Sequence, residues 1–208
     1  MGVTKGELLE RLGGYRIALI GPPGSGKGEQ IAKLAKILCA EVVSISGLLR
    51  EAASHRDERG NYIHMLMRRG ESVDDEIVLP LLSARLAEIG SDQLVFLDGF
   101  PRDFVQAGAF RVVRFLKIVI FLNVPDNVCR RRLANNNRQR PDDREDVLNN
   151  RLRDYRQAEQ QIREILMDVP TIDVDGTLSI IDVTKSIVSG IKRVVFLTDA
   201  SAGLAVNQ

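Results

Sequence analysis

The run Gly21-Pro-Pro-Gly-Ser-Gly-Lys27 follows the apolar stretch Tyr15–Ile20 directly, and helix-forming residues come straight after it. This is the G-x-x-x-x-G-K pattern in the strand–loop–helix setting that gives it chemical meaning. Glycines let the backbone turn its N–H groups inward around an anion. The N-terminus of the next helix adds partial positive charge, and Lys27 adds a full one. Gly21, Pro22, Pro23, Gly24, Ser25, Gly26 and Lys27 are therefore candidates to hold a polyphosphate. The general pattern continues with Ser or Thr, whose hydroxyl helps to hold Mg²⁺, but Gly28 and Glu29 stand here. A carboxylate beside phosphate oxygens is repulsive unless it turns away or acts through a metal.

A second constellation is Leu97-Asp98-Gly99-Phe100-Pro101-Arg102. An Asp at the carboxyl end of a buried central strand faces the same crevice as the phosphate loop and suits a hydrated Mg²⁺. The planar fork of Arg102 can hold a phosphate bidentately. Arg140 lies in a polar loop, and Arg151 lies beside the apolar stripe of a long helix. Phosphoryl transfer needs positive charge around the moving group, a metal, and exclusion of water. It needs no nucleophilic side chain, and no Ser/His/Asp or Cys/His arrangement stands out.

The elements that must position these groups can be read from the pattern. Five short apolar runs, Tyr15–Ile20, Val42–Ile45, Leu94–Leu97, Lys117–Val124 and Thr171–Val174, alternate with helical patterns. They mostly lack polar alternation, as strands buried on both faces of a parallel sheet do. The expectation is an α/β fold with an open five-stranded parallel sheet flanked by helices. Helices are expected over Gly26–Leu38, from a Ser46 cap to Ala53, over Asn61–Arg69 with Gly70 as C-cap, from Asp74 or Asp75 to Ile89 with an irregularity at Pro80, and over Arg144–Met167 behind an Asp143 cap. The stripe Leu148, Leu152, Tyr155, Ile162 and Leu166 should face the core. Ser46–Val73 reads as a helical insertion, Ala134–Asp143 as a polar surface loop, and Ser201–Gln208 as a frayed end.

The chain's 208 residues can form one sizeable core. Its 29 Lys+Arg against 28 Asp+Glu leave a net charge of +1, which argues against nucleic-acid binding by bulk charge. Arg130, Arg131, Arg132, Arg138 and Arg140 nonetheless form a dense basic run. Cys39 and Cys129 share no metal-ligand or disulfide spacing, which suggests a reducing compartment. His55 and His64 lie among polar residues and are expected at the surface. Met1–Tyr15 is charged and lacks the apolar run of a signal peptide, and no run is long enough to span a membrane.

The motifs together resemble the adenylate kinase family of nucleoside monophosphate kinases in its short-lid form, from about the first strand to Gly176. GPPGSGKGEQ resembles the family's ATP loop. SGLLR resembles its first monophosphate motif, which implies Arg50 on the acceptor phosphate, and RGESVDDEIV implies Val73 near the acceptor base. LDGFPRDFVQA resembles the family signature, which implies Asp98 as organiser of magnesium, Arg102 on the acceptor phosphate beside Gly99, and Gln106 as reader of adenine. RRRL, RQRPDD and RLRDY imply Arg132 against the donor adenine, Arg140 and Arg151 on the transferring phosphate, and Asp142 and Asp143 as the acidic pair that helps to close the lid. Gly176 is implied near the donor base.

The resemblance implies a single P-loop kinase domain over 1–208, with core near 14–43, 74–132 and 144–198, an acceptor-binding insertion near 44–73 and a lid near 133–143. It implies Mg²⁺ with ATP, no zinc, a monomer in the cytoplasm, and the reaction ATP + AMP = 2 ADP. Glu29 stands in place of the family's Thr, Ile45 in place of its acceptor-site Thr, and Ser46-Gly47 in place of its Gly-Asp. Asn136 aligns with a family arginine, with Arg138 nearby to take its place. Two alternatives follow: a UMP/CMP kinase, and a nucleotide-binding protein with weak or no kinase activity because of Glu29 and Ile45.

Overall fold

A computed structural model describes residues 4–55, 57–112, 115–135 and 145–204. Its strands are β1 (Arg16–Ile20), β2 (Glu41–Ser44), β3 (Val95–Asp98), β4 (Ile118–Asn123) and β5 (Thr171–Asp175), in one parallel sheet of order β2-β3-β1-β4-β5. The three inner strands divide their side chains between two cores by the period of two that a pleated strand imposes. Ile17, Leu19, Phe96, Ile118 and Ile120 face one core, whereas Ala18, Val95, Leu97, Val119 and Phe121 face the other. That is why these strands read as continuous apolar runs. The edge strand β5 alternates instead, with Ile172 and Val174 buried and its other residues exposed.

Helices α1 (Lys5–Leu12), α2 (Lys27–Leu38) and α9 (Ile180–Leu204) cover the first core. Helices α3 (Ile45–Ser54), α4 (Glu58–Arg69) and α5 (Asp75–Glu88) cover the second. The remaining helices are α6 (Phe104–Val112), α7 (Asp126–Ala134) and α8 (Glu145–Ile165). The expected α8 stripe is buried but divided: Leu148 and Leu152 enter the first core, whereas Ile162 and, just beyond the helix, Leu166 enter the second, against which Tyr155 packs. Buried Gln30 on α2 donates to the Ile180 carbonyl and accepts from Thr184 Oγ1 at 2.7 Å, which ties α2 to α9.

Several boundaries differ from the sequence expectation. Ile45 begins α3 rather than ending β2, and the cap is Ser44, whose Oγ accepts from the Gly47 N–H, not Ser46. Helix α4 begins earlier, at Glu58, because Asp57 caps it with a 2.6 Å bond from the Gly60 N–H. Gly70 is its C-cap at φ +70°, as expected. Helix α5 runs through Pro80 as one element. Helix α1 has no counterpart in the sequence expectation; Thr4 and Glu7 form a capping box at its start, and Leu8 and Leu12 are fully buried. Helix α9 continues to Leu204, so Ser201–Leu204 is helical rather than frayed. The expected cap Asp143 and most of the expected polar loop lie outside the described residues.

Candidate active site

The phosphate loop joins the end of β1 to the first turn of α2, and its glycines answer specific demands. Gly24 and Gly26 have φ of +82° and +96°, in the left-handed region that L side chains avoid. A Cβ on Gly24 would lie 2.7 Å from the Cys129 carbonyl oxygen. Lys27 reaches back across the loop, where its Nζ donates to the carbonyls of Gly21 (2.6 Å) and Pro22 (3.0 Å). Burial pushes its ammonium pKa down to about 8; Asp98 opposes that shift, and the guanidiniums of Arg151 and Arg102 add to it.

Loop and strand ends open on a cleft of about 590 Å³ at the carboxyl edge of the sheet. Lys27, Arg50, Arg102, Arg132 and Arg151 all line it, with Asp98 at its floor. These cations come from five different elements or turns, so only the fold brings them together. Gly21, Pro23, Gly24, Gly26, Gly28 and Gly99 also line it. Arg132, on α7, donates to the carbonyls of Ser25 (3.0 Å) and Gly176 (2.8 Å), and so joins the phosphate loop to the turn after β5. Arg102 donates from Nε to the Gly99 carbonyl (3.1 Å) and from Nη2 to Ser46 Oγ (3.0 Å).

Glu29 sits at the rim, about half exposed, with a carboxylate oxygen 3.4 Å from Lys33 Nζ one turn along α2. Of the two options open to a carboxylate here, it takes an outward course. Pro22 and Ser25 are buried within the loop, and the Ser25 Oγ has no hydrogen-bond partner.

Three expected acceptor-site residues stand behind the cleft wall. Ile45 and Val73 are buried in the second core, 2% and 6% exposed. Gln106 is buried too; its Oε1 accepts from the Arg102 N–H (2.9 Å) and its Nε2 donates to Asp75 Oδ1 (2.6 Å). Arg138, Arg140, Asp142 and Asp143 lie outside the described residues.

The sequence gives Ser44 and Asp154 no role, and it reads Ser46 and Asp75 only as helix starts. Ser44 donates to Asp98 Oδ2 at 3.4 Å, Ser46 holds Arg102, and Asp75 holds Gln106. Asp154 and Tyr155 line the cleft from α8. Tyr155 reads in the sequence only as a core residue; its place one turn after Arg151 is the available signal. His55 and His64 are exposed, as expected.

Comparison with known proteins agrees with this geometry. A family model described as adenylate kinase matches residues 19–168. An adenylate kinase of Prochlorococcus marinus is 34% identical over 146 residues, covering 68% of this chain and 78% of that protein. One of Dehalococcoides mccartyi is 31% identical over 212 residues, covering 86% and 98%. A protein named UMP-CMP kinase 1 of Oryza sativa subsp. japonica is 33% identical over 143 residues, covering 68% and 58%. The span matched by the family model holds the phosphate loop, the Asp98–Arg102 turn and all of α8, parts that build the cleft. The chain belongs to the adenylate kinase family and is a phosphotransferase of the nucleoside monophosphate kinase class.

Proposed function

We propose that this chain catalyses the reversible, Mg²⁺-dependent transfer of a phosphoryl group from ATP to AMP, giving two ADP. The observation that carries the reading is the convergence of Lys27, Arg50, Arg102, Arg132 and Arg151 on one cleft with Asp98. Lys27 and the loop amides hold the donor phosphates, and Ser25 Oγ is available to a phosphate oxygen. Arg132 and Gly176 lie at the donor base, and Arg50 and Arg102 hold the acceptor phosphate. Ile45, Val73, Gly99 and Gln106 shape the acceptor base site, the first two and Gln106 from behind the wall. Arg151, with Arg140 and Arg138 from the lid, balances charge on the moving group as the bond to the donor oxygen breaks and the bond to the acceptor oxygen forms. Closure of the insertion near 44–73 and of the lid near 133–143, which carries Asp142 and Asp143, excludes water as a competing acceptor. The reading includes a monomer acting in the cytoplasm on free nucleotides.

The site suits magnesium by its donor set. Asp98 is the carboxylate at the floor, Ser44 is hydrogen-bonded to it, and no cluster of three metal-ligating side chains occurs among the described residues. An ion that keeps its waters and takes phosphate oxygens fits such a place. When bound, it would neutralise charge on the donor phosphates; the chain's own part is to hold it through Asp98.

A second reading is a CMP or UMP acceptor, supported by the likeness to the rice protein and by the internal use of both ends of the Gln106 amide. A coupled assay with ATP against AMP, CMP, UMP and GMP, with and without Mg²⁺, tests both. The first reading expects AMP to lead in kcat/KM and Mg²⁺ to be required. A lead by CMP or UMP would replace it with the second, and no transfer to any monophosphate would overturn both.

A further inference from the structure

We infer that Gly70 is a positioning residue for phosphoryl transfer: its missing side chain lets α8 close against the acceptor insertion and so sets Arg151 across the cleft. The inference rests on the kinase reading above.

Gly70 is the C-cap of α4, at the end of the insertion, and it lines the cleft. A Cβ built on it would overlap Cγ1 of Val147 and come within 3.7 Å of the Cδ of Arg151. Val147 and Arg151 lie one turn apart on α8, so they share a helix face, and that face looks at Gly70. Val147 is 6% exposed, yet it belongs to neither of the two cores. Gly70 is one of the residues that Val147 packs against. Its β-branched shape leaves few rotamers, so it has little room to yield to a methyl group.

The consequence is geometric. Arg151 sits one turn beyond the contact, in a cleft whose opposite wall carries Arg50 and Arg102. A side chain at position 70 would wedge α8 away from the insertion. The guanidinium of Arg151 would then stand off from the acceptor side, and displacements of this size cost a reaction heavily when positioning is most of catalysis.

The φ of +70° at Gly70 means that most substitutions also strain the backbone. Gly70→Asn limits that confusion, because Asn tolerates the left-handed region better than other side chains. Val147→Phe wedges the same contact from the α8 side with the Gly70 backbone intact, and it decides the matter if the Asn variant does not fold. Val147→Ala creates room for a side chain at position 70.

The experiment measures kcat and the KM of each nucleotide, with melting temperature, for the wild type, Gly70→Asn, Val147→Phe, Val147→Ala and the pair Gly70→Asn with Val147→Ala. The expected result is a kcat loss of about tenfold or more in Gly70→Asn and Val147→Phe, with the KM of ATP within about twofold of the wild type. The pair should recover at least about threefold of the Asn loss in kcat per folded molecule, measured below the melting temperature of every variant, so that the recovery reports position and not the amount of folded protein. A kcat within about twofold of the wild type in Val147→Phe, or no recovery in the pair at an equal melting temperature, overturns the inference. Wild-type turnover tests the kinase reading separately. If the wild type makes no ADP, calorimetric AMP binding takes the place of kcat, and equal affinity in Val147→Phe and the wild type overturns the positioning role.

Discussion

Lys27 Nζ lies 2.6 Å from the carbonyl oxygen of Gly21, so the cation of the phosphate loop is hydrogen-bonded to the first residue of its own loop. A polyphosphate therefore competes with two carbonyls for this ammonium, and the loop is held in shape before it binds. Burial lowers the pKa of Lys27 to about 8, below its unfolded value of 10.5. Between those two values the unfolded chain holds a proton that the folded chain has released, so the folded state gains stability as pH rises through that window. Lys27→Met lacks this gain. Thermal melts from pH 7.5 to 10 should show the wild type rising relative to the variant. Bound ATP restores the charge on Lys27, so the rise should shrink with ATP present. Turnover of Lys27→Met should fall about 10²-fold or more, as for loss of a charged donor to developing negative charge, with an unchanged circular dichroism spectrum. Parallel melting curves of variant and wild type across that pH range would contradict the burial of this ammonium.

Gly24→Ala tests the loop's backbone. The new Cβ would meet the Cys129 carbonyl oxygen at 2.7 Å and Leu133 Cδ1 at 2.9 Å, at a φ of +82°. Neither the strain nor the clash can be relieved by a side chain alone. We expect a loss of about 1–3 kcal/mol in urea denaturation and weaker ATP binding by calorimetry.

Glu29→Thr asks whether the departure from the usual loop sequence harms turnover. Glu29 points along α2 toward Lys33, and an exposed pair of this spacing contributes only about 0.3–0.5 kcal/mol. We expect kcat to change by less than about threefold and stability by less than about 0.5 kcal/mol. A large gain in turnover would mean that the carboxylate does interfere with the phosphates or their metal.

Much of the framework was legible because burial on both faces leaves a plain trace. The three inner strands are apolar throughout since each feeds two cores, and the phosphate loop announces itself through spacing that few other structures need. Asp98 and Arg102 were legible for the same reason, as part of a short contiguous motif. What escaped is what depends on distant residues. Ser46 reads as a helix cap, but Ser44 takes that role and Ser46 is left to hold Arg102. Ile45 and Val73 read as pocket residues and lie behind the wall, because their side chains feed the second core while their chain neighbours Ser44, Ser46 and Ser72 line the cleft. The meeting of Gly70 with Val147, 77 positions along the chain, has no trace in either segment alone. Helix α1 is too short for a periodic signal, and it owes its place to packing on α9 and the first core.

Arg132→Lys tests the strut between the phosphate loop and the turn after β5. One guanidinium spans the Ser25 and Gly176 carbonyls, which a single ammonium cannot do with the same geometry. We expect the KM of ATP to rise about tenfold and that of AMP to stay within about twofold, in steady-state assays with each nucleotide varied in turn. Equal changes in both would place Arg132 outside the donor half.

Leu12→Ala tests α1. Leu12 is fully buried beneath a helix that precedes the region matched by the family model. We expect a loss of about 2–4 kcal/mol in equilibrium denaturation with little change in kcat, because no residue of α1 lines the cleft.

The most direct test of the central claim is to incubate the purified chain with ATP, AMP and Mg²⁺ and to follow all phosphorus species by ³¹P NMR. Two ADP should appear for each ATP consumed, with no inorganic phosphate, and omission of AMP should stop the consumption of ATP. ATP consumed to ADP and free phosphate without AMP, or no ADP at all, would contradict a cleft that moves a phosphoryl group between two nucleotides.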